Sequence, residues 1–210
     1  MLQKVSMALG AIACAVSANA ESAETPSFDC AKVESEAEMT VCSSPALAEL
    51  DRELARVYGL AQEGGADAES RQWLKETQRG WIKGRDDCWK SDLGLEPCVA
   101  SEYAFRIDEI RREFADARGG EGASTGPYAY ACDGLGALIS ASFMATSAPS
   151  VVLRWRDRAV VLPRVPSASG SRYESANWGS APIVFWLKGD EAMLSTVAGE
   201  TLPCQEDPTG

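Results

Sequence analysis

Residues 119–127 read GGEGASTGP. Four glycines and a proline in nine positions leave the backbone loose and short of side chains that could pack, so the stretch reads as a linker. Its weight comes from its flanks. On the N-terminal side apolar residues recur every three to four positions; on the C-terminal side they alternate with polar ones. An all-α unit over 27–118 and an all-β unit over 128–205 are therefore expected, joined by 119–127.

Upstream of the linker, Ser44-Pro45 supplies an N-cap and a first-turn proline. Leu47, Leu50, Leu54 and Tyr58 follow at helical spacing until Gly64-Gly65. A second helix is expected from about Glu69 to Trp89, with Trp73, Thr77 and Trp81 on one face and both tryptophans in the core. A third opens at Pro97-Cys98 and carries Tyr103, Ile107, Ile110 and Phe114. A short helical turn fits between Cys30 and Cys42, and Asp51 with Arg79 is a candidate ion pair between helices. A helical bundle this small is marginal without covalent staples.

Downstream, strands are expected at 128–132, 138–144, 151–155, 159–162, 173–178, 183–188 and 192–197. Tight turns are expected at Arg156-Asp157-Arg158 and Gly189-Asp190. So many short strands in so short a span suggest a small antiparallel barrel or sandwich. One connection stands apart. Pro166 to Glu174 reads PSASGSRYE, a long, soft, polar tip ending in an aromatic where two residues would close a hairpin.

The first 20 residues, MLQKVSMALGAIACAVSANA, read as a secretory signal cleaved after Ala20. Their apolar run is shorter than the roughly 20 residues a bilayer span needs, and no later segment qualifies. Cys14 leaves a lipid anchor as the lesser reading. Six further cysteines remain: Cys30, Cys42, Cys88, Cys98, Cys132 and Cys204. An even count in an exported chain argues for disulfides in an oxidising compartment, the periplasm or the exterior. Zinc would want close Cys or His pairs; this chain has neither, and no histidine. A Cys132–Cys204 bridge would tie the first strand to the last. In the helical unit, antiparallel packing of the first two long helices would bring Cys42 to Cys88 and leave Cys30 for Cys98. Sequential pairing is the rival.

The formal net charge is −11. That balance repels nucleic acid and steers the chain toward a basic partner. Without histidine, neither a Ser-His-Asp nor a Cys-His nucleophile is possible. No glycine-rich loop has phosphate-cradle spacing. Asp86-Asp87 and Asp190-Glu191 read as solvated carboxylates rather than an acid–base pair. The chain is read as a binding protein, not an enzyme, with no cofactor and no metal.

Two resemblances sharpen this. The second unit resembles the MliC/PliC family of C-type lysozyme inhibitors over about 128–205. The likeness is carried by Tyr130-Ala131-Cys132, by Val165 to Tyr173, by Phe185 to Ala192 and by Cys204. The family's S-G-x-x-Y motif falls on Ser169, Gly170 and Tyr173. Its second motif, Y-x-x-x-T-K-G, is kept at Lys188 and Gly189, while Ile183 and Leu187 replace the tyrosine and threonine. The first unit resembles the LprI N-terminal domain over about 27–118, through Phe28-Asp29-Cys30, Val41-Cys42, Leu50 to Leu54, Gln78-Arg79-Gly80-Trp81, Arg85-Asp86, Cys88 and Cys98.

The resemblance implies a periplasmic or secreted inhibitor of c-type lysozyme, a basic protein. Its lysozyme-binding residues would be Ser169, Gly170, Tyr173 and Lys188. Ser169 would present a hydroxyl to the two catalytic carboxyls that flank the scissile bond in such an enzyme, and Lys188 a cation beside them. Gly170 would let the loop turn tightly. Tyr173 would brace the loop or contact the enzyme. The competing reading is a cell-envelope module that holds peptidoglycan fragments or another envelope protein.

Overall fold

The structure is a computed structural model that describes residues 25–175, 182–189, 191–196 and 198–208. The expected signal with Cys14 lies outside the described residues, as do positions 176–178 and 197 of the expected strands and Asp190 of the expected turn. The first half holds four helices: α1 (Glu36–Ser43), α2 (Pro45–Glu63), α3 (Ala68–Asp86) and α4 (Leu95–Glu113). Their ends follow local chemistry. Ser35 and Glu38 form a reciprocal capping box at α1. Pro45 opens α2 and disfavours helix at the residue before it, which separates α1 from α2. The Asp67 side chain accepts from the Ser70 amide at 2.7 Å and caps α3.

The apolar stripes of α2 and α4 meet in one core. Leu47, Leu50, Leu54 and Val57 pack with Val99, Tyr103, Ile107 and Ile110, and Leu74 of α3 closes it. Trp73 does not join them. It is 40% exposed and lies beside Phe114, with ring centres 6.2 Å apart. The neighbouring Leu74 takes the inward position, which turns Trp73 to the rim. Trp81 does pack inward, edge-on to Tyr103 at 5.0 Å, and its indole N–H donates to the Glu102 carbonyl.

Asp51 is buried, but its partner is not Arg79. It accepts from the Tyr103 hydroxyl at 2.9 Å and from the Ser27 amide. Tyr103 also accepts from the buried Arg85, at 3.2 Å, and Arg85 pairs with Asp86 at 2.7 Å. Burial, reinforced by the Asp51 charge, holds the Tyr103 hydroxyl well above its ordinary pKa. Arg79 is solvent-exposed on the outer face of α3.

The disulfides pair sequentially, Cys30–Cys42 and Cys88–Cys98, not Cys42 with Cys88. The reason is α1. Cys42 sits on a separate short helix that turns the chain back on Cys30, so it is not at the start of α2. Cys88 and Cys98 clamp the corner between α3 and α4.

The second half is a closed barrel of eight antiparallel strands in sequence order. They are β1 (Ser124–Cys132), β2 (Leu138–Met144), β3 (Ser150–Trp155), β4 (Arg158–Val165), β5 (Ser171–Ser175), β6 (Ile183–Lys188), β7 (Glu191–Ser195) and β8 (Thr201–Asp207). β1 pairs with β8, and the Cys132–Cys204 disulfide joins directly opposed positions of that pair. Alternation does the rest. Ile139, Val151, Leu153, Val160, Leu162, Phe185 and Leu194 fill the interior.

The stretch 119–127 is strand from Ser124 onward, and it is held tightly. Glu53 of α2 accepts from the Ala123 amide at 3.0 Å and from the Ser124 hydroxyl. Arg111 of α4 donates to the Gly126 carbonyl at 2.7 and 3.0 Å. On the outer face of β2–β4, Met144, Val152 and Val161 pack into the helical core. Beside them the fully buried Asp108 of α4 accepts from Ser142 at 2.7 Å and pairs with Arg154. The two halves thus share apolar and charged contacts.

Candidate functional site

Of PSASGSRYE, residues 166–170 connect β4 to β5, and 171–174 already belong to β5. β5 begins beside the end of β6, with Ser171 opposite Leu187. Lys188, at the end of β6, lies opposite Glu191 at the start of β7. Ser169, Gly170 and Lys188 are therefore gathered at one end of the barrel, although 18 residues separate Gly170 from Lys188 in the chain.

Each position has a local cause. Gly170 has φ +67°, and a Cβ there would sit 2.1 Å from the Leu187 carbonyl oxygen. Only glycine fits both the left-handed backbone and the close approach. The Ser167 hydroxyl donates to the carbonyls of Ser169 and Gly170, at 3.0 and 3.1 Å, and folds the tip onto itself. The Ser169 carbonyl also accepts from the Trp186 indole N–H at 2.9 Å. The backbone of Ser169 is thereby fixed from two sides. Its side chain is exposed, and its hydroxyl makes no hydrogen bond among the described residues.

Lys188 is exposed, with its ammonium over the Trp186 ring at 5.9 Å from the centre. Trp186 therefore touches both the tip and the lysine. Sequence reasoning gave it no role. The signal was its place two residues before Lys188, on the same outward face of an alternating strand.

Tyr173 stands apart. Its ring points into the barrel, 7% exposed, 5.8 Å from Phe143 and opposite Phe185 in the ladder. Burial pushes its hydroxyl pKa up, against the Arg164 charge. It anchors the root of the tip from inside and presents little surface to a partner.

Next to Lys188, Tyr130, Gly189, Glu191 and Glu206 line an open hollow of about 460 Å³. Burial, then the Glu206 charge, pushes the Tyr130 hydroxyl up to about 12. The end of the barrel thus offers the exposed Ser169 hydroxyl, the Lys188 ammonium and, beside them, carboxylates. Among the described residues no cluster of His, Cys, Asp and Glu is placed to hold a metal. None of the described helices is long and apolar enough to cross a membrane.

Comparison with known families matches both halves. Residues 29–118 match the family described as Lysozyme inhibitor LprI. Residues 130–202 match MliC, described as Membrane-bound lysozyme-inhibitor of c-type lysozyme. Comparison with the curated proteins and with the solved structures gives no match.

Proposed function

We propose that this chain, an LprI-matching helical half followed by an MliC-matching barrel, is an exported inhibitor of c-type lysozyme that blocks the catalytic cleft with its Ser169-Gly170 tip and Lys188. The observation that carries the reading is the Ser169 hydroxyl. It is exposed and makes no hydrogen bond among the described residues, on a backbone held by Ser167, Trp186 and the tight approach at Gly170. A preformed tip loses little conformational freedom on binding.

In the cleft, the Ser169 hydroxyl would hydrogen-bond to the acid and carboxylate that flank the scissile bond. Lys188 would compensate the charge of the ionised one. Tyr173 holds the tip in place from within the barrel. Glu191 and Glu206 would face basic groups at the rim of the cleft. No bond is made or broken; substrate is excluded by occupancy. The net charge of −11 attracts a basic lysozyme over distance and raises the rate of encounter at low salt.

The test is inhibition of peptidoglycan lysis by the purified full chain, with a c-type and a g-type lysozyme in parallel. Inhibition of the c-type enzyme is expected. The Ser169→Ala/Lys188→Ala variant should inhibit roughly 30-fold less well, as for two contacts of about 1 kcal/mol each, with an unchanged circular dichroism spectrum. Unchanged inhibition by that variant would remove the tip from the mechanism.

A further inference from the structure

A second surface lies at the opposite end of β4. That strand runs from Arg158, at the β3–β4 turn, to Val165, which leads into the tip. At about 3.3 Å per residue the two ends are separated by roughly 23 Å. At the Arg158 end a groove of about 570 Å³ opens between the barrel and the helical half. Five arginines line it: Arg112 and Arg118 from the helical side, Arg154, Arg156 and Arg158 from the barrel. In a chain with 31 acidic residues, a single carboxylate, Asp157, is among its lining residues.

The arginines divide by their partners. Arg154 is committed to Asp108. Arg118 donates to the carbonyls of Arg111 and Arg112, and Arg156 donates to the carbonyl of Leu135. Those carbonyls aim the guanidiniums without neutralising them. Arg112 and Arg158 make no side-chain hydrogen bond or ion pair among the described residues. Four cationic forks therefore line the groove without a carboxylate partner among the described residues. Such a grouping is repulsive unless an anion offsets it.

The groove also has a flat apolar wall. Tyr128 is 38% exposed and Leu138 48%; with Pro127 they line one side. Forked cations beside an exposed aromatic suit a ligand that has both an anionic group and a flat, partly apolar face. A pyranose ring bearing an acidic substituent has both, and the volume accommodates a short oligosaccharide.

We propose that this groove binds an anionic glycan, the arginines taking its carboxylate or phosphate groups and Tyr128 one sugar face. The site is assembled from both halves, since Arg112 and Arg118 come from the helical half. It lies at the far end of β4 from the tip, and its charge disfavours the basic partner expected there. The protein can then hold an acidic wall polymer at one end while the other end stays free.

The experiment is calorimetric titration of the full chain with four oligomers of similar length: oligogalacturonate, phosphorylated oligomannose, neutral oligomannose and oligoglutamate. One or both anionic glycans should bind, at least tenfold more tightly than the neutral glycan and the acidic peptide. The stronger of the two identifies the anion. Affinity should fall at least tenfold in Arg112→Ala/Arg158→Ala and severalfold in Tyr128→Ala, with melting temperatures unchanged. Lysozyme inhibition should be unaltered in the double variant, so loss of either activity is read independently of the other. Absence of binding to both anionic glycans, equal binding of the neutral glycan or of oligoglutamate, or full affinity in the double arginine variant would overturn the proposal.

Discussion

Gly170 is the residue on which the shape of the tip turns. An added Cβ would strike the Leu187 carbonyl at 2.1 Å with the backbone at φ +67°. Gly170→Ala should cost about 1–3 kcal/mol and displace Ser169, so inhibition should fall more than stability does when both are measured. Trp186→Phe keeps an aromatic ring under Lys188 but loses the N–H that fixes the Ser169 carbonyl; a severalfold loss of inhibition with an intact fold is expected. Glu53 gives a pH signature. Burial pushes its carboxyl pKa up, but Arg56, Ser124 and the Ala123 amide outweigh that and hold it below its ordinary 4.5. Such a group stabilises fully above 4.5 and loses its contribution as the pH falls through the folded value. Urea unfolding across pH 3 to 7 should therefore show Glu53→Gln less stable at neutral pH and closest to the parent at the acid end.

Among elements, the buried Asp108 between α4 and the outer face of β2–β3 is the most demanding contact. Asp108→Asn leaves Arg154 without its counter-charge and should lower stability by about 2–3 kcal/mol in urea unfolding. The elements themselves were largely legible. Caps, prolines and glycines marked the helix ends, and alternation marked seven of the eight strands, because those rules act over a few residues; β8, which contains Pro203 and lacks an alternating apolar pattern, was not expected. What joins the elements was less so. The sequential disulfides depend on α1 turning Cys42 toward Cys30, and the inward choice of Leu74 over Trp73 depends on the tertiary core. The stretch 119–127 has a linker's composition, yet Ser124 to Pro127 serve as the start of β1 because Glu53 and Arg111 bind them. Ser169, Gly170 and Lys188 come together at one end of the barrel through the β5–β6 pairing. The part of Trp186 appears only once the ladder brings it beside Ser169. The arginine groove was invisible for a plain reason: its two sets of arginines, Arg112 and Arg118 against Arg154 to Arg158, are 36 or more positions apart in sequence.

Taken as one body, the molecule presents the exposed Ser169 hydroxyl, Lys188 and nearby carboxylates at one end of the barrel and, at the other, four arginines without a carboxylate partner among the described residues. Its halves share the packing of Met144, Val152 and Val161 against the helical core. Helical circular dichroism and tryptophan fluorescence should consequently report one coincident unfolding transition. Removing the Cys132–Cys204 bridge, which spans 72 residues, should cost about 4 kcal/mol by the loop-entropy relation. The most direct measurement of cleft occlusion is the rate of peptidoglycan hydrolysis by c-type lysozyme at several substrate and protein concentrations. Occupation of the catalytic cleft predicts competitive inhibition, an apparent KM that rises with protein concentration at constant kcat. A falling kcat at constant KM, or no inhibition at saturating protein, would contradict it.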